Sequence, residues 1–214
     1  FFPMKERILE EIQRPGTDIV LGHHHGGEQT QYISGSEPAS WIDDHAEQIR
    51  RSLRAIMKRS KDKAKTRAEW QEKWGFPDAW FATDDSLRRA DSLRALTLNI
   101  ETEDIYRCRP ATRFIMHDAC SNGSFHWDDY VAGAYLFTEG RTVAAQGCSV
   151  NSLQDKWPDE FLGLFAAGIR IGQWGRHVHY LETHLFGDPT YRFANTAAPS
   201  VDINEALTVR RGDN

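Results

Sequence analysis

Two short apolar runs stand apart from the helical spacing that hydrophobic positions show elsewhere in the chain. They cover residues 17–22 and 111–116, and continuous runs of this length are typical of buried strands in a parallel sheet. A third run, residues 141–146, predicts the next strand. Because helical stretches separate these runs, the pattern predicts an α/β fold with a parallel sheet flanked by helices.

The helical stretches are bounded by local stop and start signals. Residues 2–14 form an apolar stripe that ends at a Pro-Gly pair, and Ser40 can cap a helix running from Trp41 toward Lys73. Gly75 and Pro77 break that pattern before a second helix from about Asp84 to Leu98. Residues 40–106 are therefore expected to form a helical hairpin inserted between two strands.

The rest of the chain predicts a helix over 130–138 and a helical region that begins at Asp159 and extends to His184. Residues 185–190 are expected to end the fold with a turn in which Asp188 is structural. We expect one domain over 1–214. Since only one helix precedes the first apolar run, the sheet is narrow and would leave an edge exposed, so further strands are expected upstream or on another chain.

Composition limits the classes of function. The chain has 214 residues, 40% of them hydrophobic, and a net charge of −5, which is too mild to indicate a nucleic-acid partner. No apolar stretch approaches the roughly 18 residues of a membrane span. The three cysteines, Cys108, Cys120 and Cys148, are an odd number without CxxC spacing, which disfavours a disulfide framework and a structural zinc site.

Candidate chemistry follows the ends of two predicted strands. Three histidines between Gly22 and Gly26 follow the first strand, and Cys120 follows the second. Because the carboxyl ends of parallel strands line a common crevice, an imidazole there can activate the thiol. Ser121-Asn122-Gly123 predicts a turn whose N–H groups can face an oxyanion. A metal site on His23 and His25 stays open, with a third ligand from His117, Asp118 or Glu28, although Gly26 and Gly27 favour close approach of a substrate.

Four segments, residues 22–28, 119–123, 141–147 and 185–190, resemble motifs of the caspase-haemoglobinase clan of cysteine peptidases, and the gingipain-like family in particular. The resemblance implies a caspase-like sheet, Cys120 as nucleophile and His25, the histidine followed by Gly, as general base. It also implies an oxyanion hole built from the N–H groups of Gly26 and Cys120. The resemblance requires no cofactor, and it alone suggests a structural calcium ion. It also suggests a secreted location, and a cytoplasmic location stays open.

The resemblance further implies a substrate-binding wall at Gln146, Gly147 and Cys148, which does not define a side-chain preference. The tryptophans Trp157 and Trp174 are expected in the core or a pocket. Nine Lys or Arg and one acid between Arg50 and Arg67 form either a solvated face or a docking surface for a regulatory partner. The expected function is cysteine endopeptidase; the alternatives are an inactive caspase-like scaffold and a metal-binding protein.

Overall fold

The computed structural model describes residues 4–33, 42–152, 160–178 and 182–194. Its strands are β1 (Ile19–His23), β2 (His25–Gly26), β3 (Thr30–Tyr32), β4 (Ile100–Glu101), β5 (Phe114–Asp118), β6 (Ala144–Cys148) and β7 (Thr183–Gly187). The α-helices are α1 (Met4–Gln13), α2 (Ile42–Arg59), α3 (Lys63–Trp74), α4 (Asp85–Leu98), α5 (Thr102–Tyr106), α6 (Val131–Phe137), α7 (Gly163–Ala166) and α8 (Ile171–His177).

The main sheet has four strands in the order β1-β5-β6-β7. The pairs β1–β5 and β5–β6 are parallel, and β7 runs antiparallel to β6. The expected α/β architecture with a mostly parallel sheet flanked by helices is therefore confirmed. Helices α7 and α8 lie in the helical region expected over 159–184. The antiparallel β7 corrects the expected end of that region at His184 and the expectation that 185–190 is only a turn.

Both faces of this sheet are covered, as the continuous apolar runs predict. Along β5, Ile115 packs into one cluster with Ile12 of α1 and Tyr135 of α6. Phe114 and Met116 face the other way and pack with Trp174 of α8, because successive side chains of a strand point to opposite faces. Trp174 is fully buried, as expected for a core residue; Trp157 lies outside the described residues.

A second, antiparallel sheet, β2-β3-β4, was not predicted. Its strands are two or three residues long, too short to show alternation. It joins the histidine segment to the end of the inserted region, since β3 pairs with both β2 and β4.

The described part of the inserted region, residues 42–106, contains four α-helices, α2 to α5, and a 3-10 turn, Asp78–Phe81. The long helix expected toward Lys73 is instead α2 and α3, because Asp62 begins a new helix by accepting the N–H of Lys65 at 3.0 Å. Helix α4 begins and ends as predicted. The expected start of the first helix, Ser40 and Trp41, lies outside the described residues.

The inserted helices have an apolar cluster of their own, formed by Leu53, Met57 and Phe81. The last part of the inserted region differs, because Ile100 of β4 and Ile105 of α5 are fully buried in the main core. Residues 100–106 therefore belong to the body of the domain. Helices α2 and α3 and the 3-10 turn pack on one another, whereas α4 also contacts α1.

Arg54 corrects the view of a uniformly exposed basic face. Its side chain is only 7% exposed and binds Asp91 of α4 through Nε at 2.7 Å and Nη2 at 2.8 Å. It also binds Glu47 at 2.7 Å. These bonds raise the pKa of the guanidinium still further above its ordinary value, Asp91 having the largest effect. Arg54 therefore ties α2 to α4.

The carboxyl-terminal part holds the predicted helix α6 and the turn at Asp188. That side chain accepts the N–H of Thr190 at 2.8 Å and its hydroxyl at 2.7 Å, so Asp188 is structural as expected. Asp159, the expected start of the later helical region, lies outside the described residues. No helix in the described ranges is long and apolar enough to span a membrane.

Candidate active site

The carboxyl ends of β1 and β5 lie side by side, as the sequence predicts. His23, the last residue of β1, stands opposite Asp118, the last residue of β5. The histidine segment and the cysteine turn therefore leave the sheet at the same edge, where ligands bind in open α/β sheets.

Gly26 brings these two segments into contact. A Cβ atom at this position would overlap the carbonyl oxygen of Cys120, and it would lie 2.8 Å from Nδ2 of Asn122. The same Asn122 amide donates to the carbonyl oxygen of Gly27 at 2.7 Å and to that of Thr30 at 3.1 Å. The histidine segment thus lies directly against the cysteine turn, and only glycine fits at the point of contact.

The turn after Cys120 is held on its other side by the end of β6. Ser121 has a left-handed backbone, φ 56°, which costs free energy in a non-glycine residue and marks a tightly determined turn. The N–H of Ser121 donates to the carbonyl oxygen of Val150 at 3.0 Å, and the N–H of Gly123 donates to the carbonyl oxygen of Cys148 at 2.8 Å. A Cβ atom at Gly123 would lie 2.5 Å from the carbonyl oxygen of Gly147, so glycine is required here too.

The thiol of Cys120 is half-buried and lies against Ser152. The N–H of Ser152 donates to the sulfur at 3.3 Å, and the thiol donates to the Ser152 carbonyl oxygen at 3.9 Å. Cys108 differs, because burial and then Asp104 raise the pKa of its thiol. The half-buried Cys148 has its sulfur 3.3 Å from the hydroxyl of Thr183. The three thiols therefore have distinct environments.

The three consecutive histidines also have three different environments. Nδ1 of His23 lies 2.5 Å from Oδ2 of Asp118, whose side chain is only 6% exposed. His25 is exposed on β2, opposite Tyr32. His24, between them, points to the protein interior and takes part in a chain of hydrogen bonds.

That chain begins at the buried hydroxyl of Tyr135 on α6, which donates to Oε1 of Gln31 at 2.7 Å. Nε2 of Gln31 lies 2.9 Å from Nε2 of His24, and Nδ1 of His24 lies 2.9 Å from the carbonyl oxygen of His25. Burial lowers the pKa of His24, although its bond to His25 works in the opposite direction. Sequence reasoning missed this chain, because Gln31 and Tyr135 lie 104 residues apart and have no local signature.

His117 lies beneath the same region and is almost fully buried. Neither ring nitrogen has a hydrogen-bond partner among the described residues. Its ring lies 5.4 Å from that of Tyr135 and 6.2 Å from that of His24. Burial lowers the pKa of His117 to about 3, so this ring is neutral in the native protein.

The residues considered for a metal site do not form one within the described part of the chain. No group of three His, Cys, Asp or Glu side chains there is arranged to hold an ion. Asp118 pairs with His23 alone among the candidate ligands, and His117 lies in the interior.

The three residues expected to bind substrate all lie within β6. Gln146 is 4% exposed, and its Oε1 has no hydrogen-bond partner among the described residues. Gly147 is buried against Gly123, and Cys148 is half-buried at the end of the strand. Of this set, Cys148 lies nearest to the exposed edge.

The structure thus places Gly26 in contact with Cys120 and Asn122, with exposed His25 next to Gly26 on β2 and with Asp118 and His24 at the same edge of the sheet. Comparisons of the chain with protein-family models, curated proteins and solved structures found no significant match. Function must therefore be argued from the site itself.

Proposed function

We propose that this protein is a cysteine endopeptidase with Cys120 as nucleophile and His25 as general base and acid. The observation that best supports the proposal is the contact of Gly26 with the Cys120 carbonyl, because it makes the residue after His25 a direct neighbour of the nucleophile. A thiol and an imidazole on adjoining strand ends are the elements of nucleophilic catalysis.

The reaction proceeds in two halves. The thiolate of Cys120 attacks the peptide carbonyl carbon, and the N–H groups of Gly26 and Cys120 stabilise the oxyanion. Protonated His25 then transfers its proton to the leaving amine as the C–N bond breaks. Water attacks the resulting thioester, its proton passes to His25, and the C–S bond breaks to release the carboxylic acid and the thiolate.

The fold that we propose for this chemistry is caspase-like and closest to the gingipain-like family. Parallel β1 and β5, each followed by one half of the dyad, support this proposal. So do the four motif-like segments in their chain order. The narrow turn formed by Asn122 and Gly123, packed on both neighbouring segments, is suited to fixing a nucleophile.

We further propose that the inserted helices, residues 42–98, regulate the site or hold a regulatory partner. They return to the body at β4, which pairs with β3 and through it with β2. A shift of these helices can therefore reach His25 on β2 through the pairing of β4 with β3 and of β3 with β2. Exposed cations such as Lys58 and Arg59 on α2 are suited to an acidic partner surface.

The dyad is tested by alkylation with iodoacetamide and mass mapping of the three cysteines. We expect rapid labelling of Cys120 and slow labelling of Cys108, whose buried thiol has a raised pKa. His25→Ala should slow the labelling of Cys120, and the matched His23→Ala should slow it much less. Equal sluggishness of all three thiols would favour an inactive scaffold, and a requirement for His23 would overturn the assignment of His25.

A further inference from the structure

His24 has a different place in the site from its two neighbours. Its ring is bonded on both nitrogens, to Gln31 on one side and to the backbone of His25 on the other. A Cβ atom at Gly22 would lie 3.0 Å from its Nε2, so glycine there makes room for the ring. The position of the ring is therefore fixed by its surroundings.

The hydrogen-bond chain also fixes which nitrogen of His24 holds the proton. Tyr135 donates to Oε1 of Gln31, which turns the Gln31 NH2 group toward Nε2 of His24 as a donor. Nε2 must then be an acceptor, so the proton is on Nδ1 and is donated to the carbonyl oxygen of His25. Reversing the Gln31 amide would leave the buried Tyr135 hydroxyl proton without an acceptor among the described residues.

We propose that His24 is a positioning residue that holds the backbone of His25 against the cysteine turn while its ring is neutral. This inference rests on the proposed function, because it assigns regulation to the same site. A proton on Nε2 would face the Gln31 NH2 group, donor against donor, and break the link to α6. In acid, His24 is therefore expected to stop holding the backbone of His25 against the cysteine turn.

The charges around His24 act in both directions. His23 and His25 on its own segment disfavour a second proton, and Asp118 at the end of β5 favours one. His117 on β5 faces the ring as a neutral group. Tyr135 on α6 faces it through Gln31 and stays neutral, since burial raises the pKa of its hydroxyl. Burial has the largest effect and keeps the ring neutral, which agrees with the geometry.

The first test is independent of activity: nitrogen-15 spectra of the imidazoles in the full chain. We expect His24 as the Nδ1–H tautomer, persisting below pH 6.5, the ordinary pKa of histidine. An Nε2–H tautomer, or titration at the ordinary value, would overturn the inference whatever the fate of the peptidase proposal.

The second test compares variants by the rate of Cys120 alkylation against pH. His24→Leu should slow it about 10- to 100-fold, as expected for a small displacement of a catalytic group, whereas His24→Asn should recover most of the rate because its Nδ2 can donate to His25. Gln31→Glu should extend the active range into acid, since a carboxylate accepts from protonated Nε2.

The two proposals fail differently. If wild-type Cys120 is labelled selectively but His24→Leu matches it at every pH, the positioning role is wrong and the dyad stands. If wild-type Cys120 is not labelled selectively, the dyad is wrong and the nitrogen-15 spectra alone decide the state of His24. Should His24→Leu fail to fold, His24→Asn with and without Gln31→Glu gives the same comparison.

Discussion

Replacing Gly26 by alanine tests the contact on which the site depends. The added Cβ would overlap the Cys120 carbonyl oxygen and lie 2.8 Å from Nδ2 of Asn122 and 3.1 Å from Cβ of Ala119. The nearest of these neighbours is backbone, and Asn122 is fully buried and held by two hydrogen bonds. The cysteine turn must therefore move away from the histidine segment.

The cost follows from these contacts. Overpacking of this kind costs about 1–3 kcal/mol, and each Asn122 hydrogen bond that lengthens costs about 1 kcal/mol more. We expect Gly26→Ala to lower the free energy of unfolding by about 2–4 kcal/mol and to slow Cys120 alkylation strongly. Urea denaturation measures the first effect, and mass mapping after timed labelling measures the second.

Gly27→Ala is the matched control. Its Cβ would meet the end of the Tyr32 side chain at 3.3 Å, and Tyr32 is exposed and can move aside. Both variants restrict the unfolded chain equally, so that effect cancels in the comparison. If Gly26→Ala proved as stable and as reactive as Gly27→Ala, the proposed packing of the two segments would be refuted.

Three further predictions concern the surroundings of the site. His117 takes up a proton near pH 6.5 when the chain is unfolded but only near pH 3 when it is folded. The free energy of unfolding should therefore fall as the pH drops from 6.5 toward 3, by up to about 1.4 kcal/mol per pH unit from this residue. His117→Phe should remove this contribution to the slope in urea titrations, and an unchanged slope would contradict the prediction. Arg54→Ala should lower the free energy of unfolding by about 2–3 kcal/mol, less than for a fully buried ion pair because the Asp91 and Glu47 carboxylates are partly exposed to solvent. The matched change at an exposed cation, Lys58→Ala, should alter it by less than about 0.5 kcal/mol. Equal effects of the two changes would refute the tie between α2 and α4. Replacing 42–98 by a Gly-Ser linker should leave a folded domain with altered Cys120 reactivity, and global unfolding by circular dichroism would make these helices part of the core.

The elements that could be predicted from sequence are those whose signals are local. Strands β1 and β5 are continuous apolar runs, and α4 has its Asp84 cap and a predicted end at Leu98. The small sheet β2-β3-β4 is too short for periodicity, and β7, with His184 and Phe186 in it, follows helical residues without a strong break. The break between α2 and α3 was not predicted, because its Asp62 cap lies within a basic run whose residues favour one continuous helix.

The same distinction applies to the site. Adjacent strand ends predicted that the histidine segment meets the cysteine turn, because parallel strands place their carboxyl ends together. The partners of the histidines could not be predicted in this way. Asp118 pairs with His23 through strand register, and His24 reaches Tyr135 through Gln31, so both contacts depend on the assembled sheet and helix α6.

The central claim, that Cys120 and His25 hydrolyse peptide bonds, is tested most directly by incubating the full chain with a peptide library and reading cleavage by mass spectrometry. We predict cleavage by the wild-type protein and by Cys108→Ala, whose thiol lies outside the site, and loss by several orders of magnitude in Cys120→Ala and in His25→Ala, since members of one catalytic unit fail together. Cleavage by Cys120→Ala at the wild-type rate would contradict the account.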